Sequence, residues 1–515
     1  MIGRYSRRQL LGGLAVGTSS LVAGCSEGDN TEHVLRLSKA FSEETLDPIS
    51  ASWLPRWMGL QECLVRIDSD LNLTPSLATD WSTNENGSSW RFELREDVTF
   101  HDGEQFDADA AQWSLDRSFS DPSSFISSVP VTSITAEDQY GLRIDLDTPF
   151  VPLPAYVAHN TAALVSPQNL GDDERIEPAF TGPFEVESWT PDESIIAVRN
   201  EDYYGSHPDI DQIEFEVVLD GKTRELKLLN DELDMVWNQP ISSVSTFEND
   251  SSTNVHFQQK TQVRCLAFNT DSGPFADKRV RKAANYALNE RSNVENILDG
   301  VGEVGIGPWP PSIYWANDEL TTYAHDPQEA GRLLDSAGWV LEDDVRYRDG
   351  EALEITLHTF PTRANFRTLA TAMQSQLQNV GFDVDVKLTE WAAMMDAKQQ
   401  GDFDTTMEAR TTFAYPPDPE NLASLYHSED SYMNTGYENE EVDELLDQGR
   451  ATQDRDQRKQ YYDRVQAIVM DDLPISYQSY MTVVHGVRSD IENFTPDHPV
   501  GNEYKLAGVS IPSGE

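Results

Sequence analysis

The sequence predicts an α+β fold of two lobes, in which the second lobe is inserted into the first. Strand-like and helix-like segments follow one another without the regular strand–helix–strand alternation of a parallel α/β protein. The section 264–477 holds most of the long helical patterns, whereas both flanks are richer in strands. The length agrees with this division, because 515 residues correspond to about three domains, or two large lobes, at roughly 150 residues per domain.

Residues 1–24 have the pattern of an export signal. Arg7 and Arg8 precede an apolar run that is too short to span a bilayer stably. The arginine pair resembles a twin-arginine signal, which exports folded proteins, and Leu-Val-Ala-Gly-Cys at 21–25 resembles a lipobox. We therefore expect cleavage before Cys25, a lipid on that cysteine, and a flexible polar tether over 25–32.

The chain is strongly acidic, with 89 Asp and Glu against 38 Lys and Arg and a formal net charge of −51. Such a charge repels phosphates, so nucleic-acid binding is excluded. Acidic chains can be disordered, but 38% hydrophobic and 10% aromatic residues favour a packed core. A surface that stays hydrated in concentrated salt is the hypothesis that fits both observations.

Cysteine and histidine spacing indicates no metal site and no cofactor. There is no CxxC or HExxH pattern, and once Cys25 is assigned to lipid only Cys63 and Cys265 remain, whose pairing stays open. Residues 300–305 satisfy G-x-G-x-x-G, but they follow a helical pattern and run into a proline-rich stretch. That context does not fit a dinucleotide fingerprint, which needs a strand before it and a helix after it.

Elements of the first half are predicted from alternation and caps. Residues 90–95 alternate with period two, and Asp107 is placed to cap the helix that follows it. The predicted strands are 34–38, 90–95, 141–146, 184–189, 195–199 and 213–219, and the predicted helices are 53–64, 107–118 and 222–229.

The second half has longer helical patterns. Val280, Ala284 and Ala287 recur at helical spacing after a capping Asp277, and residues 308–315 form a rigid aromatic loop. The predicted strands are 263–268, 353–359, 384–388 and 475–484, and the predicted helices are 277–297, 327–337, 365–379, 442–450 and 455–470.

Blocks spread in order over nearly the whole chain carry a resemblance to a known family. They lie at 46–48, 77–81, 90–103, 181–184, 198–204, 268–270, 274–283, 337–339, 380–382 and 391–404. The third group, Phe-Asn-Thr followed by Pro-Phe-Ala-Asp-Lys-Arg-Val-Arg-Lys-Ala, is the most specific. Together these blocks resemble the family 5 solute-binding proteins of peptide- and nickel-type ABC importers.

The resemblance implies a periplasmic-binding-protein-like fold of type II (cluster C), with an extra small domain in the first lobe. The two lobes would close over a ligand about hinges near 263–268 and 476–484. The implied ranges are lobe I at 33–48, 176–263 and 478–515, the extra domain at 49–175, and lobe II at 264–477.

The implied function is capture of a peptide or peptide-like solute, with delivery to an ABC permease and its ATPase. The protein would be a monomer on the outer face of the cytoplasmic membrane and would do no chemistry. Alternatives are a nickel chelate, haem or an oligosaccharide as the ligand, or a role as a sensor coreceptor. A secreted hydrolase is disfavoured, because the sequence contains no GxSxG, P-loop or zincin motif.

Peptide-binding members hold the ligand's amino group with an acid in the loop that here spans 410–419. The expected position falls on Tyr415 or, with the register shifted by one, on Pro416, and neither carries a negative charge. This departure argues against recognition of a free amine, because a buried ammonium without a counter-charge is costly. Asp418 is the nearest substitute, although its position resembles a structural acid of that loop.

Arginines and aromatic residues complete the expected site. Arg363 precedes the helix predicted at 365–379, where a guanidinium and a helix N-terminus suit a carboxylate, and Arg410 has a similar status. A solvated surface arginine and, for Trp391, core packing are the alternatives. The expected ligand-binding residues are Trp53, Trp57, Trp309, Arg363, Trp391, Arg410, Phe413, Tyr415 and Asp418.

Overall fold

A mixed sheet of 11 strands runs through the computed structural model of the protein. The structure describes residues 33–40, 44–50, 53–168, 179–320, 322–361, 365–412, 417–429, 431–495 and 506–511. Within them the strands are β1 (Val34–Lys39), β2 (Val65–Ile67), β3 (Leu73–Pro75), β4 (Ala78–Thr83), β5 (Ser89–Leu94), β6 (Val131–Ala136), β7 (Gly141–Leu146), β8 (Phe184–Thr190), β9 (Ser194–Arg199), β10 (Gln212–Val217), β11 (Met235–Gln239), β12 (Thr253–Phe268), β13 (Glu303–Val304), β14 (Val340–Glu342), β15 (Val345–Arg348), β16 (Glu351–Ala352), β17 (Glu354–Thr359), β18 (Asp383–Leu388), β19 (Thr405–Thr411) and β20 (Ile475–Arg488).

The helices are concentrated in the second half of the chain, as the sequence predicts. They are α1 (Leu54–Trp57), α2 (Ala108–Ser120), α3 (Leu153–Tyr156), α4 (Gly221–Leu229), α5 (Val244–Glu248), α6 (Lys278–Ala287), α7 (Glu290–Ile297), α8 (Pro327–Ser336), α9 (Phe366–Gln378), α10 (Trp391–Gln399), α11 (Ala423–Tyr426), α12 (Glu440–Ala451) and α13 (Arg455–Asp472). None of the helices in these ranges combines the length and the hydropathy that a bilayer crossing needs.

Two long antiparallel strands, β12 and β20, join the halves of the main sheet. The strand order is β18-β17-β19-β12-β20-β11-β1-β10-β9-β8, and the eleventh strand, β13, pairs with β20 outside this order. Residues 263–268 of β12 pair with β19, whereas residues 253–259 pair with the end of β20 that also pairs with β11. The β12–β20 register shifts between Gln259 and Val263 at a bulge, and β12 stays paired with β20 on both sides of it while β19 joins its other edge only after the bulge. The α+β, two-lobed fold is therefore confirmed.

Two hydrophobic cores lie on opposite faces of the second half of the sheet. Along β12, Leu266 and Phe268 belong to one core and Cys265 and Ala267 to the other, because side chains alternate along a strand. Helices α6 to α9 contribute to the first core, and α11 to α13 to the second. Burial on both faces explains why this segment reads as a continuous apolar run.

The extra domain has a sheet and a core of its own. Its four strands are ordered β4-β5-β7-β6, and its buried residues come from 64–164. A separate core of lobe I draws on residues from 35–60, 165–237 and 487–509. The two cores draw on different parts of the chain, much as the predicted ranges of lobe I and the extra domain do. The boundaries of those ranges stay predictions.

Three predicted elements differ from the structure by more than a few residues or by a break. The helix predicted at 53–64 ends at Trp57, because the chain turns at Gly59 with φ of 74°. The helix predicted at 277–297 is two helices, since Asn289 caps α7 through a bond from the Ser292 amide. Strand β12 begins ten residues before the predicted start at 263.

The two remaining cysteines do not pair. Cys63 and Cys265 are both buried, and neither forms a disulfide. Burial, with the neighbouring Glu408 carboxylate, raises the pKa of Cys265 to about 12, so this thiol stays protonated and behaves as a small apolar side chain.

Candidate functional site

A cleft of about 890 Å³ opens where the two halves of the main sheet meet. Its walls come from four parts of the chain. The lining residues are Trp53, Phe125 and His159 from the extra domain and its approach, Ala40, Leu219, Gly221, Arg224, Asn238, Gln239, Pro240 and Ile241 from lobe I, Gln262, Arg264, Met481, Thr482, Val483 and Val484 from β12 and β20, and Phe360, Asn365, Phe366, Trp391, Ala409, Arg410, Thr411, Asn421 and Tyr432 from lobe II.

Aromatic rings form one wall of the cleft. Phe125 stacks on His159 with ring centroids 4.5 Å apart, and Trp53 meets the same imidazole edge to face at 5.3 Å. Burial and the nearby Arg56 cation hold the pKa of His159 well below its usual value, so the imidazole is neutral at pH 7. This wall therefore offers ring faces rather than charge.

A second part of the cleft wall, from lobe II, has the Arg410 guanidinium close to two aromatic rings. The Arg410 guanidinium lies 4.8 Å from the Trp391 ring centroid and 5.1 Å from that of Tyr432. Phe360 meets Trp391 edge to face at 5.2 Å and so supports its ring. Glu408 engages Nε and Nη2 at the edge of this guanidinium, which leaves Nη1 as the donor for an anion.

A buried carboxylate, that of Glu408, forms an ion pair with Arg410 and fixes its position. The Glu408 carboxylate is fully buried and accepts from Lys398 Nζ at 2.5 Å, from Thr406 Oγ1 at 2.5 Å and from Arg410 Nε. Burial alone would raise the pKa of Glu408, but Lys398 and Arg410 hold that pKa below its ordinary value. Two cations and one anion leave this cluster with a net positive charge beneath the cleft.

Two further guanidinium groups line the cleft. Arg224 is 2% exposed and donates to the carbonyls of Val218 at 2.6 Å and Leu219 at 3.1 Å. Arg264 Nη1 donates to Ser479 Oγ at 3.2 Å. Among the lining residues in the described ranges there is no Asp or Glu. The cleft lining is thus positive in a chain whose net charge is −51.

Three predicted ligand residues line the cleft and three lie elsewhere. Trp53, Trp391 and Arg410 are in the lining. Trp57 packs instead in the lobe I core, where it meets the Trp237 ring edge to face at 6.0 Å. Trp309 is 2% exposed, and its indole nitrogen donates to the Thr412 carbonyl at 2.7 Å.

Asp418 is occupied by partners within the protein. Its two carboxylate oxygens accept from Arg458 at 2.8 and 3.1 Å, and one of them also accepts from the Glu420 amide at 2.9 Å. Asp418 does not line the cleft, so it is not placed to substitute for the missing amine-binding acid. Arg363, Phe413 and Tyr415, like Arg7, Arg8 and Cys25, lie outside the described residues.

Sequence reasoning missed several lining residues, of which Arg264 had a detectable signal. Arg264 interrupts an apolar strand, and a charge within a buried run needs a functional or structural explanation. Phe125, His159, Phe360 and Tyr432 come from separate loops whose sequence offers no such signal. The described residues contain no group of three or more His, Cys, Asp or Glu side chains that could hold a metal ion.

Known proteins resemble this chain in fold and, over most of its length, in sequence. The profile of the bacterial extracellular solute-binding proteins, family 5 (middle), matches residues 72–433. The nickel-binding periplasmic protein of Escherichia coli K12 is 29% identical over 448 residues, which cover 82% of this chain and 84% of that protein. The dipeptide-binding protein of the same organism is 26% identical over 473 residues, or 85% of this chain and 86% of that protein. NikA from Brucella suis, solved in complex with Fe(III)-EDTA, superposes with a TM-score of 0.85 at 24% identity over 93% of this chain and 100% of that one.

Proposed function

The chain belongs to the bacterial extracellular solute-binding proteins, family 5, and from this premise we propose that its cleft captures a compact, carboxylate-bearing solute of peptide-like size for an ABC permease. Proteins of this family bind solutes outside the cytoplasm for ABC importers and are not enzymes. The solute class and the anchoring of this chain are the parts that we propose.

One observation carries the proposal: the described lining has three arginines and no acid. Arginine presents several N–H donors in a plane, which matches the two oxygens of a carboxylate. A negative surface elsewhere on the molecule makes this lining the favoured place for an anion. A volume of about 890 Å³ has room for a solute of a few residues' size or a chelate.

A carboxylate chelate of a metal ion fits this lining best. Such a ligand has several negative oxygens and no ammonium group that would need a buried counter-charge. Among the relatives, the Escherichia coli protein is named as nickel-binding, and the Brucella suis protein was solved with Fe(III)-EDTA. In this proposal the metal is cargo held by its own chelator. Arg410 binds a chelator oxygen, whereas Arg224 and Arg264, which already donate to protein oxygens, attract the anion through their charge.

A peptide is the second candidate. The name of the Escherichia coli dipeptide-binding protein and the aromatic walls of the cleft support it, because ring faces pack well against peptide side chains. A peptide whose amino group is blocked, or whose charge is net negative, would suit the lining better than a zwitterion.

Titration of intrinsic tryptophan fluorescence tests both candidates, since two of the 11 tryptophans, Trp53 and Trp391, line the cleft. We expect saturable changes with metal–EDTA and metal–citrate chelates, and weaker changes with zwitterionic dipeptides. Arg410→Lys keeps the charge but loses the planar fork, so chelate affinity should fall about 10- to 100-fold, or about 1.4–2.8 kcal/mol.

The matched control is Arg464→Lys. Arg464 lies in α13, pairs with Glu441 and is about half exposed, so its replacement should leave chelate affinity unchanged. Equal affinity of the wild type and Arg410→Lys for every anion tested would overturn the proposal. Mass spectrometry of small molecules retained by the protein after purification in high salt would identify the natural solute directly.

We propose that a lipid on Cys25 anchors the protein and that a twin-arginine signal exports it. The support is the lipobox-like sequence 21–25 and the pair Arg7 and Arg8. Cys25→Ser should release the protein from the membrane fraction, whereas replacement of both arginines by lysine should stop export. Since one lipid chain anchors only marginally, mass spectrometry should find a second chain or another membrane contact.

A further inference from the structure

Lobe II contains a second cavity, of about 390 Å³, which shares no lining residue with the cleft. Helices α6 and α7, strand β13 and the start of β20 surround it. Its lining includes Asn285, Glu290, Val304, Tyr323, His325 and Tyr477. The function proposed for the cleft does not use this cavity.

Glu290 is the unusual member of the lining. It is 7% exposed, and among the described residues no side chain forms an ion pair or hydrogen bond with it. Burial raises the pKa of Glu290 to about 8, and its own backbone amide opposes that rise. Glu290 also lines a smaller cavity of about 10 Å³. The other charged or titratable side chains that line the two cavities are Arg264, Arg291, Tyr323, His325 and Tyr477.

The two tyrosines of the lining have their hydroxyl groups engaged within the protein, so their rings are the parts left to contact a ligand. Tyr323 donates to the Met470 carbonyl at 2.9 Å, and the Tyr477 hydroxyl is hydrogen-bonded to that of Tyr426. The cavity lining thus combines two aromatic rings with a buried carboxyl group that forms no ion pair with a described cation. Cations are attracted both to a carboxylate and to the faces of aromatic rings.

We propose that this cavity is a binding site for a small protonated amine, whose ammonium group donates to Glu290 while its alkyl part lies against Tyr323 and Tyr477. An alkylammonium ion fits better than a bare alkali cation, since about 390 Å³ is many times the roughly 30 Å³ share of one water molecule. The amine relieves the cost of an ionised carboxyl group in a buried position.

Two methionines make the test specific, because Met470 lines this cavity and Met481 lines the cleft. Full-length protein carrying ¹³C-methyl methionine is titrated with n-propylammonium chloride, which replaces NaCl at constant ionic strength. The Met470 methyl resonance, assigned with Met470→Leu, should shift saturably, and the Met481 resonance should not. Glu290→Gln should weaken the apparent affinity at least about 10-fold, or about 1.4 kcal/mol.

Arg291→Gln is the matched control, since it removes a charge from an exposed residue of the same lining and should keep the Met470 shift. Should Glu290→Gln fail to fold, wild-type affinity at about pH 6 and about pH 9 replaces it, because amines with a pKa near that of lysine stay protonated over this range. Binding should then be at least about 10-fold weaker at the lower pH. An equal Met470 shift with 1-propanol or KCl, an unmoved Met470, or equal binding by Glu290→Gln would each overturn the proposal.

Discussion

Glu408 and Glu290 are two carboxyl groups buried in the same lobe, and their pKa values move in opposite directions. Glu408 is fully buried between Lys398 and Arg410, and its pKa lies below the ordinary value. Glu290 is almost as buried, but no described cation forms an ion pair with it, and its pKa rises to about 8. Burial alone therefore favours the neutral acid in both places, and the neighbouring cations decide which group stays ionised.

The difference also separates two kinds of site. A carboxylate with two cations is a structural support, which here fixes Arg410 in the wall of the cleft. A buried carboxyl group without a paired cation, such as that of Glu290, can bind a ligand that supplies the positive charge. Glu420 is intermediate, because burial raises its pKa while Arg450 and a hydrogen bond from Tyr156 lower it.

The largest effect should come from pH. A carboxyl group with a raised folded-state pKa stabilises the fold fully below its unfolded pKa near 4.5, and that stabilisation is lost as the pH rises toward 8. The shift from 4.5 to about 8 corresponds to at most about 5 kcal/mol. Denaturant unfolding of Glu290→Gln should show a correspondingly flatter dependence of unfolding free energy on pH than the wild type.

The pH dependence of the unfolding free energy must be compared between Glu290→Gln and the wild type. Burial raises the pKa of Glu62 to about 7, so Glu62 also lowers the unfolding free energy as the pH rises, and it does so in both proteins. Glu303→Gln, an exposed change on β13, should keep the wild-type curve. Parallel curves for the wild type and Glu290→Gln would contradict the assigned shift.

Removal of the Glu408 carboxylate should be nearly as costly. Glu408→Gln leaves Lys398 and Arg410 without their counter-charge, so the free energy of unfolding should fall by about 3–5 kcal/mol. Adding Lys398→Met should recover part of that loss. The exposed pair of Glu441 and Arg464 is the control, and Glu441→Gln should cost less than about 1 kcal/mol. If Glu408→Gln and Glu441→Gln lowered the free energy of unfolding by similar amounts, burial of the ion pair would not explain its contribution to stability.

A smaller effect is expected where the extra domain meets lobe II. The Tyr156 hydroxyl donates to Glu420, which also accepts from Arg450 at 2.8 Å. Tyr156→Phe removes one bond to a charged group and should cost about 1.5–3 kcal/mol of unfolding free energy. It should also raise the pKa of Glu420, and a steeper loss of stability with rising pH would show this. An unchanged pH profile would mean that Arg450 alone sets the state of Glu420.

The smallest effect should be that of salt on buried pairs. Molar KCl screens exposed charges within about 3 Å, so it should raise the melting temperature of a chain whose net charge is −51. The cost of Glu408→Gln should change by less than about 0.5 kcal/mol over the same range, because buried pairs are screened little. A melting temperature that falls as KCl rises would exclude a salt-adapted surface.

Most elements of the fold were predictable, because local patterns carry them. Residues 141–146 alternate, and the structure has β7 at the same bounds, while Asp107 caps α2 as predicted. The predicted bounds were wrong where a contact with a residue far away in the sequence determines the local structure. At Gly59 the chain turns against Pro183, and the polar first half of β12 is a strand only because β20 pairs with it.

The site was predictable only in part, for the same reason. Trp53, Trp391 and Arg410 are in the cleft lining, but Trp57 and Trp309, of the same residue type, pack in cores. Nothing local separates these tryptophans, since a large apolar ring suits a core and a pocket wall equally.

By itself, the sequence determined the class of fold, the excess of acid and the absence of the expected amine-binding acid at Tyr415, because each depends on composition or short patterns. Only the tertiary structure decided where the few positive charges lie. It brings together in one cleft Arg224 of α4, Arg264 of β12 and Arg410 of β19, which are far apart in the sequence. It likewise pairs the buried Glu408 with two cations, whereas among the described residues no cation pairs with the buried Glu290, since the neighbours of a buried charge come from distant parts of the chain.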